Sequence, residues 1–337
     1  MQQTIAWSDG AIELIDQTRL PEALVTLRIE TVEDLVAAIQ RLSIRGAPAL
    51  GVAGGYGVAL AARLHDPASD GAADFRAAVR LLRAARPTAV NLAAMVDRVS
   101  AIARSGATAA LDEAHRIRDE EVAASHAMGN RGADLVTELV GERPVRVMTI
   151  CNTGGLATVE RGTALAVVQT LHERGSLAEA LPLETRPLLQ GSRLTTWELD
   201  RIGAPHRLIV DSAGPFLLAR GDADAVLIGA DRIAANGDTA NKIGSLSLAL
   251  AAAHARVPFV VVAPESTVDP ATSSGAEIEI EDRGRDEVIS IRGVSLAPPD
   301  TEVINPAFDV TPAALITAIV TDRRTIRLDL GDPPPAG

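Results

Sequence analysis

The sequence sets apart one thiol, one ammonium group and a few carboxylates placed where apolar runs end. Cys151 is the only cysteine in 337 residues, and it stands where the run VRVMTI (145–150) meets NTGG (152–155). A free cysteine there has two readings. One is a small buried hydrophobe. The other is a thiol facing a glycine turn and the N-terminus of a helix beginning near Leu156, where the helix dipole lowers a thiol pKa and makes it an acid, base or nucleophile. Asp231 follows AVLIGA (225–230). It reads either as a turn carboxylate paired with Arg232 or as a general acid/base, its pKa raised by desolvation beside an apolar strand end. Asp211 follows HRLIV (206–210) in the same way.

The cations are as uneven as the thiols. Of 32 Lys and Arg residues all but one are arginine, and the exception is Lys242. Asn241 and Lys242 precede an apolar helix-like run, IGSLSLALAAA (243–253). A lysine at a helix N-terminus opposes the dipole, and a bound anion would remove that objection. Arg45 and Gly46 stand just before a buried helix with Pro48 near its first turn, a layout in which backbone N–H groups and a guanidinium fork can hold an anion. Arg86 repeats the layout before a helix opened by Pro87 and Thr88. The stretch ETRPLLQGSRLTTWEL (184–199) adds Glu184, Arg186, Gln190 and Arg193. Gln190 reads either as a solvated loop side chain or as an amide that binds sugar hydroxyls. No glycine fingerprint follows a strand, no Walker A sequence occurs, and the histidines are not paired at metal-ligand spacing. The expectation is therefore no cofactor and no metal.

The elements that must position these groups fall into two textures. The first 30 residues alternate as strand, Asp-Gly turn, strand, with LVTLRI (24–29) as a third strand. Helical segments follow: one capped by Thr31 with Asp34, a buried one over APALGVAGGYGVALAARL (47–64), and three more up to Val140. From Pro144 onward short aliphatic runs alternate with helical ones, which means crossover connections and a parallel sheet whose ligand site lies at the strands' carboxyl ends. The fold class expected is α/β: a mostly helical N-terminal domain with a small antiparallel strand unit (1–140), then a Rossmann-like parallel-sheet domain (141–337), with 330–337 as a disordered tail. A single cysteine precludes an intrachain disulfide and, with no basic-then-apolar leader in MQQTIAWSDG, reads as a cytoplasmic protein. The net charge of −12 opposes binding to nucleic acid or an anionic membrane, and no uncharged apolar run approaches a membrane span of about 20 residues.

Taken together, the segments DGAIELIDQTRLPEAL, IRGAPALGVA, RPTAVNL, CNTGGLAT, ETRPLLQGSRLTTWEL, IGADRIAANGDTANKIG, VVAPESTVD and NPAFDVTP resemble, in order, those of the methylthioribose-1-phosphate isomerases of methionine salvage. The resemblance implies a homodimer and an aldose–ketose isomerisation of a sugar phosphate without metal or nucleotide cofactor. It places the family's proton-donating aspartate on Asp231 and the cysteine credited with transition-state stabilisation on Cys151. Substrate contacts fall on Arg45, Gly46, Ala47, Arg86, Gln190, Asn241 and Lys242. The sequence departs from the family's usual residues at Ile150 (often His), at Arg161 and Leu246 (aromatic) and at Gly155 (Ala). Two other readings share the fold: an isomerase of 5-deoxyribose 1-phosphate or ribose 1,5-bisphosphate, and a non-catalytic relative of the regulatory subunits of the initiation-factor exchange complex. The presence of both Cys151 and Asp231 speaks for catalysis.

Overall fold

The computed structural model describes residues 3–86 and 90–335. By its internal contacts the chain divides into one unit of Met1–Ser125 with Gly154–Gly162, and another of His126–Thr153 with Thr163–Gly337. The segment just after the thiol thus packs with the N-terminal residues, which no boundary near 140 anticipates.

In the first unit β1 (Ile5–Ser8), β2 (Ala11–Ile15) and β3 (Thr26–Ile29) form an antiparallel sheet turned at Asp9–Gly10. Helices α1 (Val32–Gln40), α2 (Ala47–Leu64), α3 (Ala72–Arg83) and α4 (Val90–Ala103) follow, and α5 (Ala107–Val140) runs from this unit into the next. The Thr31 hydroxyl accepts from the Asp34 N–H at 3.1 Å, the cap expected from sequence. Helix α2 is long and apolar enough by length and composition to cross a membrane, but it carries Arg63 and 78% of it is buried inside the protein, the buried helix read from the sequence. Its apolar faces are spent on α4, α3 and α1, which makes it the axis of the core. Tyr56, fully buried on α2, shares a 3.1 Å hydrogen bond with His115 Nδ1, and burial pushes its phenol up to about 12.

The second unit is built on a six-stranded sheet. In chain order its elements are β4 (Val145–Thr149), α6 (Ala164–Glu173), β5 (Leu177–Pro182), α7 (Thr196–Arg201), α8 (Ala213–Ala219), β6 (Ala225–Ile228), β7 (Arg232–Ala234), β8 (Thr239–Lys242), α9 (Ser245–Ala255), β9 (Phe259–Val262), β10 (Val268–Asp269), α10 (Asp286–Ile289), β11 (Ser290–Ile291), β12 (Val294–Ser295), β13 (Phe308–Thr311), β14 (Ala318–Val320) and β15 (Thr325–Ile326). The main sheet has the order β15-β14-β9-β6-β4-β5, parallel except for β15. Its inner strands, AVLI and FVVV, are buried along their whole length, as parallel strands covered on both faces must be. From β4 the chain moves outward to β5 and then returns to place β6 on the other side of β4, so the strand order reverses between β4 and β6. A second sheet, β10-β7-β8-β13, rests on pairings that local periodicity did not show.

One run read as a strand is otherwise: HRLIV forms only bridges, Ala180 with His206 and Leu183 with Ile209. The expected tail is described as far as Pro335, whose carbonyl accepts from Arg324.

Candidate active site

Cys151 lies two residues past β4, half-buried, at φ +66°. Its N–H donates to Thr185 Oγ1 at 2.9 Å, and its carbonyl accepts from Thr195 Oγ1 at 2.6 Å. Thr185 is itself left-handed, at φ +68°, which a β-branched residue adopts only when its surroundings enforce it. The helix expected behind the thiol is not there. Gly155–Ala157 forms a single 3-10 turn, and α6 begins only at Ala164. The apolar letters of LATV are used instead in the first unit, where Thr4 Oγ1 and Gln17 Nε2 donate to the Gly155 and Leu156 carbonyls, each at 2.6 Å.

Asp231 lies three residues past β6. Since β4 and β6 pair with Val147 opposite Ala225 and Met148 opposite Val226, the thiol and the carboxylate leave from the carboxyl ends of adjacent strands, whose axes are about 4.8 Å apart. That is the point where the strand order reverses, the place where open α/β sheets bind ligands. The Asp231 N–H donates to the Ala240 carbonyl at 2.9 Å, which ties it to β8. Its side chain is exposed, so the desolvation anticipated from sequence is absent: the strand ends at Ile228, and the carboxylate rides on the turn beyond it.

Gln190 is not a solvated loop residue. It is 6% exposed, and its Oε1 is buried with no hydrogen-bond partner among the described residues. It opens a π-helical turn, Gly191–Thr195, that leads into α7. A Cβ on Gly191 would lie 1.6 Å from the Leu183 carbonyl oxygen, so only glycine lets this turn press onto the end of β5. The turn is bracketed by the two threonines that hold the Cys151 backbone. Asp211, singled out with the other strand-end carboxylates, is a fastener: it accepts the Thr185 and Arg186 N–H groups, each at 2.7 Å.

Asn241 and Lys242 belong to β8, not to a helical first turn, and are 4% and 7% exposed. Asn241 Nδ2 donates to Ser245 Oγ at 2.8 Å, and Lys242 Nζ donates to the Ala307 carbonyl at 2.7 Å, 4.7 Å from the centre of the Phe308 ring. The anion expected at the following helix is already in the chain. Asp309 on β13 accepts the Gly244 and Leu246 N–H groups at 2.7 and 3.1 Å, capping α9, and burial raises its pKa against those bonds and the charge of Lys242. Gly244 in turn abuts Ile150, the neighbour of the thiol. The second unit therefore gathers Cys151, Asp231, Gln190, Asn241 and Lys242 around the carboxyl edge of one sheet.

In the first unit Arg45 Nε donates to Gln17 Oε1 at 3.2 Å. Gly46, at φ +91°, lies against Ala157, whose oxygen would be 2.4 Å from an added Cβ. Ala47 opens α2, which has no side-chain cap. Its leading N–H groups are thus of the kind that bind anions. Arg86 is half-buried, while Pro87 and Thr88, expected to open the next helix, lie outside the described residues. Among the described residues no group of three His, Cys, Asp or Glu side chains is placed to hold a metal ion. Sequence reasoning passed over Thr185, Thr195, Asn152 and Glu198; the local signal for the last three was polar residues inside apolar context, in CNTGG and TTWEL, and Thr185, between Glu184 and Arg186, carried none.

Comparison with known proteins fits this geometry. The model of the initiation factor 2 subunit family matches residues 43–326. The chain is 52% identical over 318 residues to a methylthioribose-1-phosphate isomerase of Anaeromyxobacter sp. (strain K), covering 94% of this chain and 91% of that protein. It is 50% identical over 326 residues to a probable bifunctional methylthioribose-1-phosphate isomerase/methylthioribulose-1-phosphate dehydratase of Nocardia farcinica, covering 96% of this chain but only 59% of that longer protein. The crystal structure of 5-methylthioribose 1-phosphate isomerase from Pyrococcus horikoshii superposes with a TM-score of 0.90 at 38% identity, over 97% of this chain and 93% of that one.

Proposed function

This chain belongs to the methylthioribose-1-phosphate isomerase family, and from that premise we propose that it converts 5-methylthioribose 1-phosphate to 5-methylthioribulose 1-phosphate, a step of methionine salvage. The supporting observation is a thiol and a carboxylate leaving adjacent strand ends where the sheet order reverses. An aldose phosphorylated at its anomeric carbon cannot open spontaneously to a free aldehyde, so an acid must protonate the ring oxygen as the bond from C1 to it breaks. Asp231 supplies that proton. The covering sugar and its phosphate dianion both raise a carboxyl pKa, the first by excluding water and the second by charge, and so keep the acid protonated. Hydrogen then moves from C2 to C1, the 2-hydroxyl gives up its proton, and a ketose 1-phosphate results. Cys151, beside this centre, stabilises the activated intermediate or relays the proton.

Gln190 and Asn241 contact the sugar hydroxyls. Lys242, Arg45, Gly46, Ala47 and Arg86 contact phosphate or sugar oxygens, through backbone N–H groups at Gly46 and Ala47. The enzyme works in the cytoplasm as a homodimer. Support for a second copy comes from the α8–α9 face, where a concave, mostly apolar surface is lined by Pro215, Ile243, Leu246, Leu250 (55% exposed) and Ala251, and where Phe216, next in sequence to Pro215, is 59% exposed.

The deciding experiment is product analysis with purified protein and methylthioribose 1-phosphate, with 5-deoxyribose 1-phosphate and ribose 1,5-bisphosphate assayed beside it. Cys151→Ser and Asp231→Asn are expected to lose at least about a hundredfold in turnover, the scale of a lost general acid/base. Near-native activity in either variant removes that residue from the mechanism. Running the reaction in deuterated water separates the two routes for hydrogen: deuterium at C1 of the product excludes a direct hydride shift.

A further inference from the structure

The proposed chemistry leaves four side chains at the carboxyl edge unused: Thr185, Thr195, Asn152 and Glu198, which are 0%, 1%, 2% and 4% exposed. Their hydrogen bonds fix the direction of each proton. The Thr185 hydroxyl donates its one hydrogen to the Leu183 carbonyl at 2.9 Å, so its oxygen is free to accept the Cys151 N–H. The Thr195 hydroxyl donates its one hydrogen to the Cys151 carbonyl, so its oxygen accepts one amide hydrogen of Asn152 at 3.3 Å. The other amide hydrogen of Asn152 goes to Glu198 Oε2 at 2.5 Å. Both peptide groups flanking the Cys151 Cα are therefore tied to hydroxyls of the 185–195 segment. Asp211 anchors one end of that segment by accepting the Thr185 N–H. Cys151 needs such ties. At φ +66° it occupies backbone space that L side chains avoid, and relaxing toward ordinary values would swing Cβ and the sulfur away.

We propose that Thr185 and Thr195 are positioning residues that hold Cys151 in its left-handed conformation, with the Asn152–Glu198 pair keeping the Thr195 hydroxyl turned toward the Cys151 carbonyl. The proposal rests on the reading of Cys151 as part of the reacting centre. A sulfur displaced by about 1 Å slows the chemical step by up to about a hundredfold while leaving sugar and phosphate contacts in place, so the clamp governs turnover more than binding.

The lone cysteine makes the test direct, because every alkylation event reports on this thiol. Thr195→Val keeps the shape and removes the hydroxyl; Thr195→Ser keeps the hydroxyl. For Thr195→Val the expectation is a fall in kcat of at least about tenfold with KM within about threefold, and a changed rate of Cys151 alkylation by iodoacetamide in the folded protein. Thr195→Ser is expected to restore both. Thr185→Val should reproduce the Thr195→Val pattern, with Thr185→Ser as its rescue. The idea is overturned if Thr195→Val matches the wild type in kcat and alkylation rate, or if the serine variants are as impaired as the valines. Should both valine variants fail to fold by circular dichroism, the serine variants decide alone: either one losing about tenfold in kcat overturns the clamp. An active Cys151→Ser enzyme would sink the catalytic reading instead, while the alkylation rates still report on the clamp.

Discussion

Gln190 carries a buried acceptor with no hydrogen-bond partner among the described residues, and this makes its replacement informative in two directions at once. Gln190→Met keeps an unbranched side chain of similar length and removes the buried Oε1. A buried unsatisfied acceptor costs about 1–3 kcal/mol. The substrate-free variant is therefore expected to gain about 1 kcal/mol, which is a rise in Tm of about 2 °C for a body the size of the second unit. If a sugar hydroxyl is what satisfies that oxygen, its loss removes about 1–3 kcal/mol of transition-state binding, or about five- to 150-fold in kcat/KM. Differential scanning calorimetry without ligand reads the first quantity, and timed product analysis reads the second. Adding substrate should raise the wild-type Tm more than that of the variant, since a ligand stabilises in proportion to its affinity for the native state. A variant that melts earlier and keeps its kcat/KM would refute the reasoning, because it would mean that the amide serves the fold and not a ligand.

Asp224 provides a pH-dependent counterpart. Burial alone would raise its carboxyl pKa, but hydrogen bonds from the Arg143 and Arg146 side chains and the Arg146 N–H hold it well below the usual range. A depressed carboxyl contributes stability above its unfolded pKa near about 3.9 and loses it as pH falls toward the folded value. Asp224→Asn should thus cost about 2 kcal/mol at pH 7, and its urea-midpoint deficit against the wild type should shrink below about pH 4; a deficit that widens on acidification would contradict this account. Gly191→Ala puts a methyl where the Leu183 carbonyl oxygen already lies, so it should destabilise by at least about 2 kcal/mol and lower kcat, and an unchanged melting curve would show that the turn does not need the close approach. Leu250→Glu should leave the fold intact and yield monomers by light scattering if the α8–α9 face joins two copies; an unchanged mass would place the interface elsewhere.

Much of this protein is legible from local pattern. Helices α1 to α5 were readable from the Thr31 cap and from apolar runs too long for strands, and β4, β6 and β9 from short aliphatic runs that parallel strands buried on both faces require. Cys151 and Asp231 stood out because each breaks the end of such a run. What local pattern left undecided depends on partners distant in sequence. LATV looks like the start of a helix, yet its neighbouring carbonyls are satisfied by Thr4 and Gln17, so it folds as a single turn. Lys242 looked like a cation awaiting an anion, and the anion at the next helix is Asp309, 65 residues beyond the Gly244 N–H it accepts. Asp231 looked desolvated, but where β6 stops is set by its pairing with β4 and β9, which leaves the carboxylate on an exposed turn. Gln190 looked solvated, and a close fit of Gly191 against the end of β5 buries it. Residue type and spacing determined which groups are reactive and which elements carry them, because helix and strand periods are local properties. Burial, partner and proton direction were decided only by tertiary structure, because each depends on atoms brought together from separate parts of the chain.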